Sequence, residues 1–219
     1  MRNVYRIAKT ELRMLFCSPI MWVLLLIFVM QASGIFSGLC WRIAHNNEWG
    51  DGYFSPGSFG FIMGMWMSTC GSLHFYIPLL TMGLISRELS TGSIKLLYSS
   101  PISNAQIVLG KFFSTVMFAV ILCVVLLLYV FVAGNIIEAF QWQATLVGLL
   151  GIFLLACTYI SIGLFVSSLT SYQFVAALGT YLLLALLLAV GGWWQEYDVV
   201  RDITYWLSIS GRAYTFVAG

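Results

Sequence analysis

An all-helical, polytopic transmembrane bundle is the fold class this sequence predicts, on three observations. Hydrophobic residues make up 61% of the 219 and charged residues 8%, against roughly 45–50% and 25% in an ordinary soluble domain. Residues 139–195 contain no Asp, Glu, Lys or Arg; one such charge at a bilayer centre costs about 2.5–3.5 kcal/mol, so insertion into lipid explains the vacancy. Five apolar runs, 20–39, 60–86, 112–134, 144–166 and 174–190, have the length of about 20 residues that a helix needs to cross roughly 30 Å of hydrocarbon. The chain reads as a single transmembrane domain over 1–219.

The first element, 1–18, is an amphipathic helix ahead of the first span. Arg2, Arg6, Lys9 and Arg13 follow 4-3-4 spacing, which at 100° per residue puts them on one narrow stripe, with Val4, Ile7, Ala8, Leu12 and Leu15 opposite. A basic stripe beside an apolar face suits a membrane-surface helix, and Pro19 marks the bend into the span. Glu11 sits amid the apolar face, as a blemish or as a contact. This leader is too extended, and the run behind it too long, for a cleaved signal peptide.

Between the second and third runs lies the most informative stretch, 87–106, charged and punctuated by Gly92 and Pro101. Its apolar residues, broken at Thr91-Gly92, predict a short amphipathic helix outside the bilayer. After Pro101, the S-x-x-Q pattern Ser103 to Gln106 predicts a capping box opening the third span.

The basic residues divide by side. Arg2, Arg6, Lys9, Arg13, Arg87, Lys95 and Lys111 lie before the first run or between the second and third, whereas Arg42, Arg201 and Arg212 lie opposite, so the positive-inside rule places the N-terminus in the cytoplasm. Five spans then leave residues 191–219 outside. Trp193, Trp194, Tyr197, Tyr205 and Trp206 suit the outer interface, and a sixth span is expected beyond Gly219.

Functional chemistry is sparse. The net charge of +2 does not suggest nucleic acid. Cys17, Cys40, Cys70, Cys123 and Cys157 show no metal-ligand spacing and read as small hydrophobes. His45, Glu48 and Asp51 read as an exposed turn rather than a metal site. His74, inside the second run, reads as a neutral imidazole satisfied by a helix carbonyl. Gly110-Lys111 lacks the upstream glycine of a phosphate-cradling loop and is followed by Phe112, so any nucleotide must be hydrolysed elsewhere. No catalytic or metal residues are expected. Gly34-x-x-x-Gly38 and Gly60-x-x-x-Gly64 suit close helix packing, within this chain or with a second copy.

Two blocks resemble a known family. The leader KTELRMLFCSPIMW and the block IPLLTMGLISRELSTGSIKLLYSSPISNAQIVLGK are similar to the type-2 ABC transporter permeases, in particular the gliding-motility-associated branch. Lys9, Glu11, Phe16, Ser18 and Pro19 carry the first block. Ile77, Pro78, Leu80, Thr81, Met82, Glu88, Gly92, Ser93, Ile94, Leu97, Pro101, Ile102, Ser103, Val108, Leu109, Gly110 and Lys111 carry the second. A weaker likeness runs through WWQEYDVVRDITYWLSISGRAYTF. Ser93 stands where Thr is usual and Lys95 where an acid is common.

The resemblance implies a multi-pass permease subunit of the bacterial inner membrane. It implies pairing with a second permease chain and docking on separate ATPase subunits, which bind ATP and Mg while this chain binds no cofactor. Arg87, Glu88 and Lys95 would be the polar contacts of a coupling helix, Gly92 would permit close approach, and Pro101 would fix the exit angle. Two other readings share the fold: a non-transporting membrane component of a motility or secretion assembly, and a channel or secondary carrier, against which the uncharged stretch 139–195 counts.

Overall fold

The computed structural model of the chain describes residues 2–45, 58–93, 103–136, 140 and 142–193. Every regular element among them is a helix: α1 (Arg2–Cys17), α2 (Pro19–His45), α3 (Ser58–Thr81), α4 (Ser86–Thr91), α5 (Asn104–Ile136), α6 (Trp142–Leu169) and α7 (Gln173–Trp193).

The predicted amphipathic leader is α1. Arg6, Lys9 and Arg13 are exposed, while Ile7, Ala8, Glu11, Leu12 and Leu15 are half-buried. Its apolar face lies on the start of α5, where Gly110 leaves room for the Ile7 side chain; a Cβ on that glycine would fall 2.6 Å from Ile7 Cγ2. Helix α1 stops at Cys17 and α2 begins on Pro19, whose missing N–H costs nothing in a first turn. Across the break, Trp22 Nε1 donates to the Phe16 carbonyl at 2.8 Å, taking up one of the acceptors that a helix C-terminus leaves open.

Three helices are long and apolar enough to cross a membrane among the described residues, over Pro19–Trp41, Asn104–Ile136 and Thr145–Leu169. Helix α7 runs for 21 residues, with a continuous apolar stretch over its described side chains, Gln173–Leu188. In α3, Ser68, Thr69, Ser72 and His74 dilute the apolar character of a helix that is otherwise 24 residues long. The five apolar runs of the sequence therefore become five long helices, three of which meet the length and apolarity needed to span within the described residues alone.

One boundary differs from the sequence expectation. The second run extends to Ser86, yet α3 ends at Thr81 and the chain turns through 82–85 into α4. Pro78 removes a backbone donor near the helix end, and a side chain from far along the sequence holds the turn. Ser167 Oγ of α6 accepts from the backbone N–H of Ile85 and of Ser86 and donates to the Met82 carbonyl, each at 3.2 Å. Ser86 Oγ also donates to Met82 O. Backbone groups freed by the turn are thus satisfied without water, as their burial demands.

The opening of α5 follows the predicted cap: the Gln106 N–H approaches Ser103 Oγ at 3.4 Å and donates to the Ser103 carbonyl at 2.9 Å. Its buried residues, Ile107, Gly110, Lys111, Ser114, Thr115, Phe118, Ala119, Leu122, Leu126, Val130 and Ala133, recur at three- and four-residue intervals and trace one face. At 33 residues, α5 is about 50 Å long, well beyond the hydrocarbon thickness of about 30 Å. Helix α3 packs on α6 and α7, and α5 on α1 and α6, around a core that includes Phe28, Trp66, Leu73, Phe118, Leu126, Tyr159, Ile160 and Leu184.

Candidate functional site

The α1, α4 and α5 helices meet at a buried ion cluster. Lys111, in the third turn of α5, has only 2% of its side chain exposed. Its Nζ donates to Glu11 Oε1 of α1 at 2.7 Å and to Glu88 Oε1 of α4 at 2.7 Å. The carboxylates are 13% and 21% exposed, so the ammonium is enclosed while each acid keeps an edge near the surface. Two carboxylates against one ammonium leave one negative charge in excess.

The local sequence explains why each group arrives there. Glu11 is carried by the apolar face of α1 against α5, so the acid in the middle of that face is a contact. Glu88 lies in the first turn of α4, where an acid also suits the positive end of a helix. Lys111 follows Gly110, on which Ile7 of α1 packs, and its backbone carbonyl accepts from Ser114 Oγ at 2.7 Å and Thr115 Oγ1 at 2.9 Å. Those two hydroxyls are the buried polar residues next along the same face. Removing one partner of a buried pair costs about 3–5 kcal/mol, because the other charge is left in a poor solvent. The cluster therefore joins three helices by a bond that is costly to break at any one member.

The other residues singled out in the sequence fall differently. Arg87 is exposed beside the cluster and makes no ion pair among the described residues. Gly92 caps α4 in the left-handed region, at φ 72°, and its N–H donates to the Leu89 carbonyl at 3.3 Å. No described atom lies within 4 Å of a Cβ built there, so the conformation, rather than a close neighbour, calls for glycine. Lys95 and Pro101, and the side chain of Arg2, lie outside the described residues, as do Glu48, Asp51 and segment 194–219.

Sequence reasoning read Lys111 as a topology marker and missed it as the centre of the cluster. The available signal was a pair of opposite charges, Glu11 and Lys111, each at an apolar position of its helical period. Glu88, read as a polar contact of a coupling helix, joins the cluster with part of its side chain still exposed.

A second polar group lies inside the bundle. His74 Nδ1 is 3.2 Å from the Cys70 carbonyl, and Nε2 is 3.1 Å from the Tyr159 hydroxyl. A carbonyl can only accept, so Nδ1 carries the hydrogen and Nε2 accepts from Tyr159. Both ring nitrogens are satisfied in a neutral imidazole, and the rings meet edge to face at 4.8 Å. Nearby, the Tyr76 hydroxyl of α3 donates to Gln31 Oε1 of α2 at 2.5 Å. No group of three His, Cys, Asp or Glu side chains is placed to hold a metal among the described residues.

Between α1, α2, α3 and α4, beside the ion cluster, is a cavity of about 340 Å³. Its wall is apolar on the side of α2 and α3 and polar toward α4.

A family model described as ABC-2 family transporter protein matches residues 62–195, more than half of the chain. The match takes in α4, Lys111 and Glu88. No curated protein matches the chain.

Proposed function

This chain belongs to the ABC-2 transporter family, whose membrane subunits are not themselves catalytic, and on that premise we propose that it is the permease subunit through which a separate ATPase subunit drives transport. Members of this family generally pair with such ATPase subunits. In this reading the N-terminus, α4 and the opening of α5 face the cytoplasm, five helices cross the membrane, and α1 lies on the inner surface with Arg6, Lys9 and Arg13 toward headgroups or solvent. The finer likeness of the leader and coupling blocks is to the gliding-motility-associated branch of a bacterial inner membrane.

The observation that carries this reading is the Lys111 cluster. A coupling segment is useful only if its displacement reaches the spans. Glu88 on α4 and Glu11 on α1 share the one ammonium of Lys111 on α5. A push on α4 therefore acts on the surface helix and on a membrane-crossing helix together. Lys95, beyond α4, would meet the ATPase, with Pro101 setting the exit angle. Gly92 would end α4 so that the chain can turn along the partner. Because Gly34 and Gly38 have no described neighbour within 4 Å of an added Cβ, α2 retains a smooth strip suited to a second permease chain.

The test is purification of the intact chain from its own membrane, with identification of the retained polypeptides and measurement of ATP turnover. An ATPase subunit is expected to co-purify. Lys95→Glu should weaken its retention, and Lys111→Met should leave it bound while altering turnover. A chain that retains no ATPase, or whose turnover is indifferent to Lys111, would contradict the proposal.

A further inference from the structure

We propose that the cavity beside the ion cluster is a binding site for a membrane phospholipid whose headgroup carries both a phosphate and an ammonium. Its volume of about 340 Å³ falls within the roughly 300–1,000 Å³ of small-molecule pockets, enough for a headgroup and the first part of a chain. The lining changes character along its length. Met21 and Leu24 of α2 and Leu79 and Leu80 of α3 form an apolar wall, and Arg87 and Glu88 of α4 lie at the polar end. A free phosphate would match only the polar part of that gradient; an amphiphile matches both.

The charges choose the headgroup. Arg87 is exposed and unpaired among the described residues, so it can bind a phosphate through its planar, multiply donating guanidinium. Glu11, Glu88 and Lys111 also line the cavity and together hold one excess negative charge. A headgroup bearing only negative charge would satisfy Arg87 and be repelled by the cluster. A phosphate followed by an ammonium meets both, with the ammonium toward the carboxylate edges that remain exposed.

Helix α1, with its exposed basic stripe, fixes the depth: if it lies on the membrane surface, the polar end of the cavity is at headgroup level and the wall of α2 and α3 is at the level of the first methylenes. This step rests on the membrane placement proposed above, and the experiment separates the two.

The intact transporter is placed in nanodiscs containing phosphatidylethanolamine or phosphatidylglycerol with a photoreactive group on the acyl chain, and labelled peptides are identified by mass spectrometry. The ethanolamine lipid is expected to label the segments around Met21, Leu24 and Leu79 above the general level seen at lipid-facing Leu150 of α6. Arg87→Gln, a change at an exposed side chain, should lower that excess about tenfold, the scale of one hydrogen bond to a charged group; Leu24→Trp should abolish it by filling the space. Equal labelling by the glycerol lipid would overturn the headgroup assignment. A uniform pattern unaffected by either variant would overturn the site while leaving the membrane placement intact, and absence of label on every helix, Leu150 included, would overturn both. A disulfide between cysteines introduced at Leu24 and Leu97 would show the chain's own segment in the cavity and would also contradict the proposal.

Discussion

Two regions of this bundle bury polar groups by opposite means. Where α1, α4 and α5 meet, an ammonium with 2% exposure is held between two carboxylates. Around His74 and Tyr76, the buried groups are neutral and joined by single hydrogen bonds across helices. The difference follows from access to water. At the α4 end each carboxylate keeps 13–21% of its side chain exposed, so an ion can be assembled there without complete desolvation. His74, 6% exposed, lies in a helix wrapped by α6 and α7, where a charge lacking a partner would be far costlier. Charge can thus join separate helices at the end of the bundle, while neutral pairs fix helix packing within it.

Breaking the charged region should have the largest effect. Lys111→Met leaves two carboxylates against each other with no cation, and is expected to destabilise the α1–α5 contact by about 3 kcal/mol, measured as a lowered thermal midpoint in detergent. Adding Glu11→Gln and Glu88→Gln to that variant should recover most of the loss, because no buried charge then remains unpaired. A triple variant as unstable as Lys111→Met would mean that the lysine acts by packing alone.

The turn between α3 and α4 should come next. Ser167→Ala removes one hydroxyl that serves three backbone groups, with an expected loss of about 1–3 kcal/mol. The signature is local: amides of 82–86 should exchange faster while those of α7 do not. Uniform protection would show that the turn is held by its apolar neighbours.

The neutral region should respond least. Tyr159→Phe leaves His74 Nε2 without its donor and keeps the ring, so about 0.6–1.7 kcal/mol is expected, the range found for hydrogen bonds between membrane helices. A loss equal to that of Lys111→Met would erase the contrast between the two regions.

Much of the architecture was legible because it is periodic. The exposed stripe of α1, the Ser103 cap, the break at Pro19 and the run lengths all follow from residues within a few positions of one another. The end of α3 was not legible, since the hydroxyl that holds its turn belongs to Ser167, about 80 residues away. Nor was the cluster: Glu11 and Lys111 are separated by 100 positions, and no local rule pairs them. Both were visible singly, as charges where the helical period calls for an apolar residue, and the missing step was to treat two such exceptions of opposite sign as one contact. Gly92 illustrates the reverse case. Its place after a short helix was apparent, but only the backbone at φ 72° distinguishes a left-handed cap from a close approach.

The central claim is that Lys111 makes α4 and α1 move as one, and paired spin labels at exposed Ser90 of α4 and exposed Lys9 of α1 test it most directly. Each is measured against a reference label at Leu150 of α6 while the assembled transporter is cycled between its nucleotide-free and ATP-bound states. In the native chain both distances to Leu150 should change together and the Ser90 to Lys9 distance should stay constant; in Lys111→Met, Ser90 should still shift while Lys9 remains in place. Concerted movement of both labels in Lys111→Met would contradict the claim.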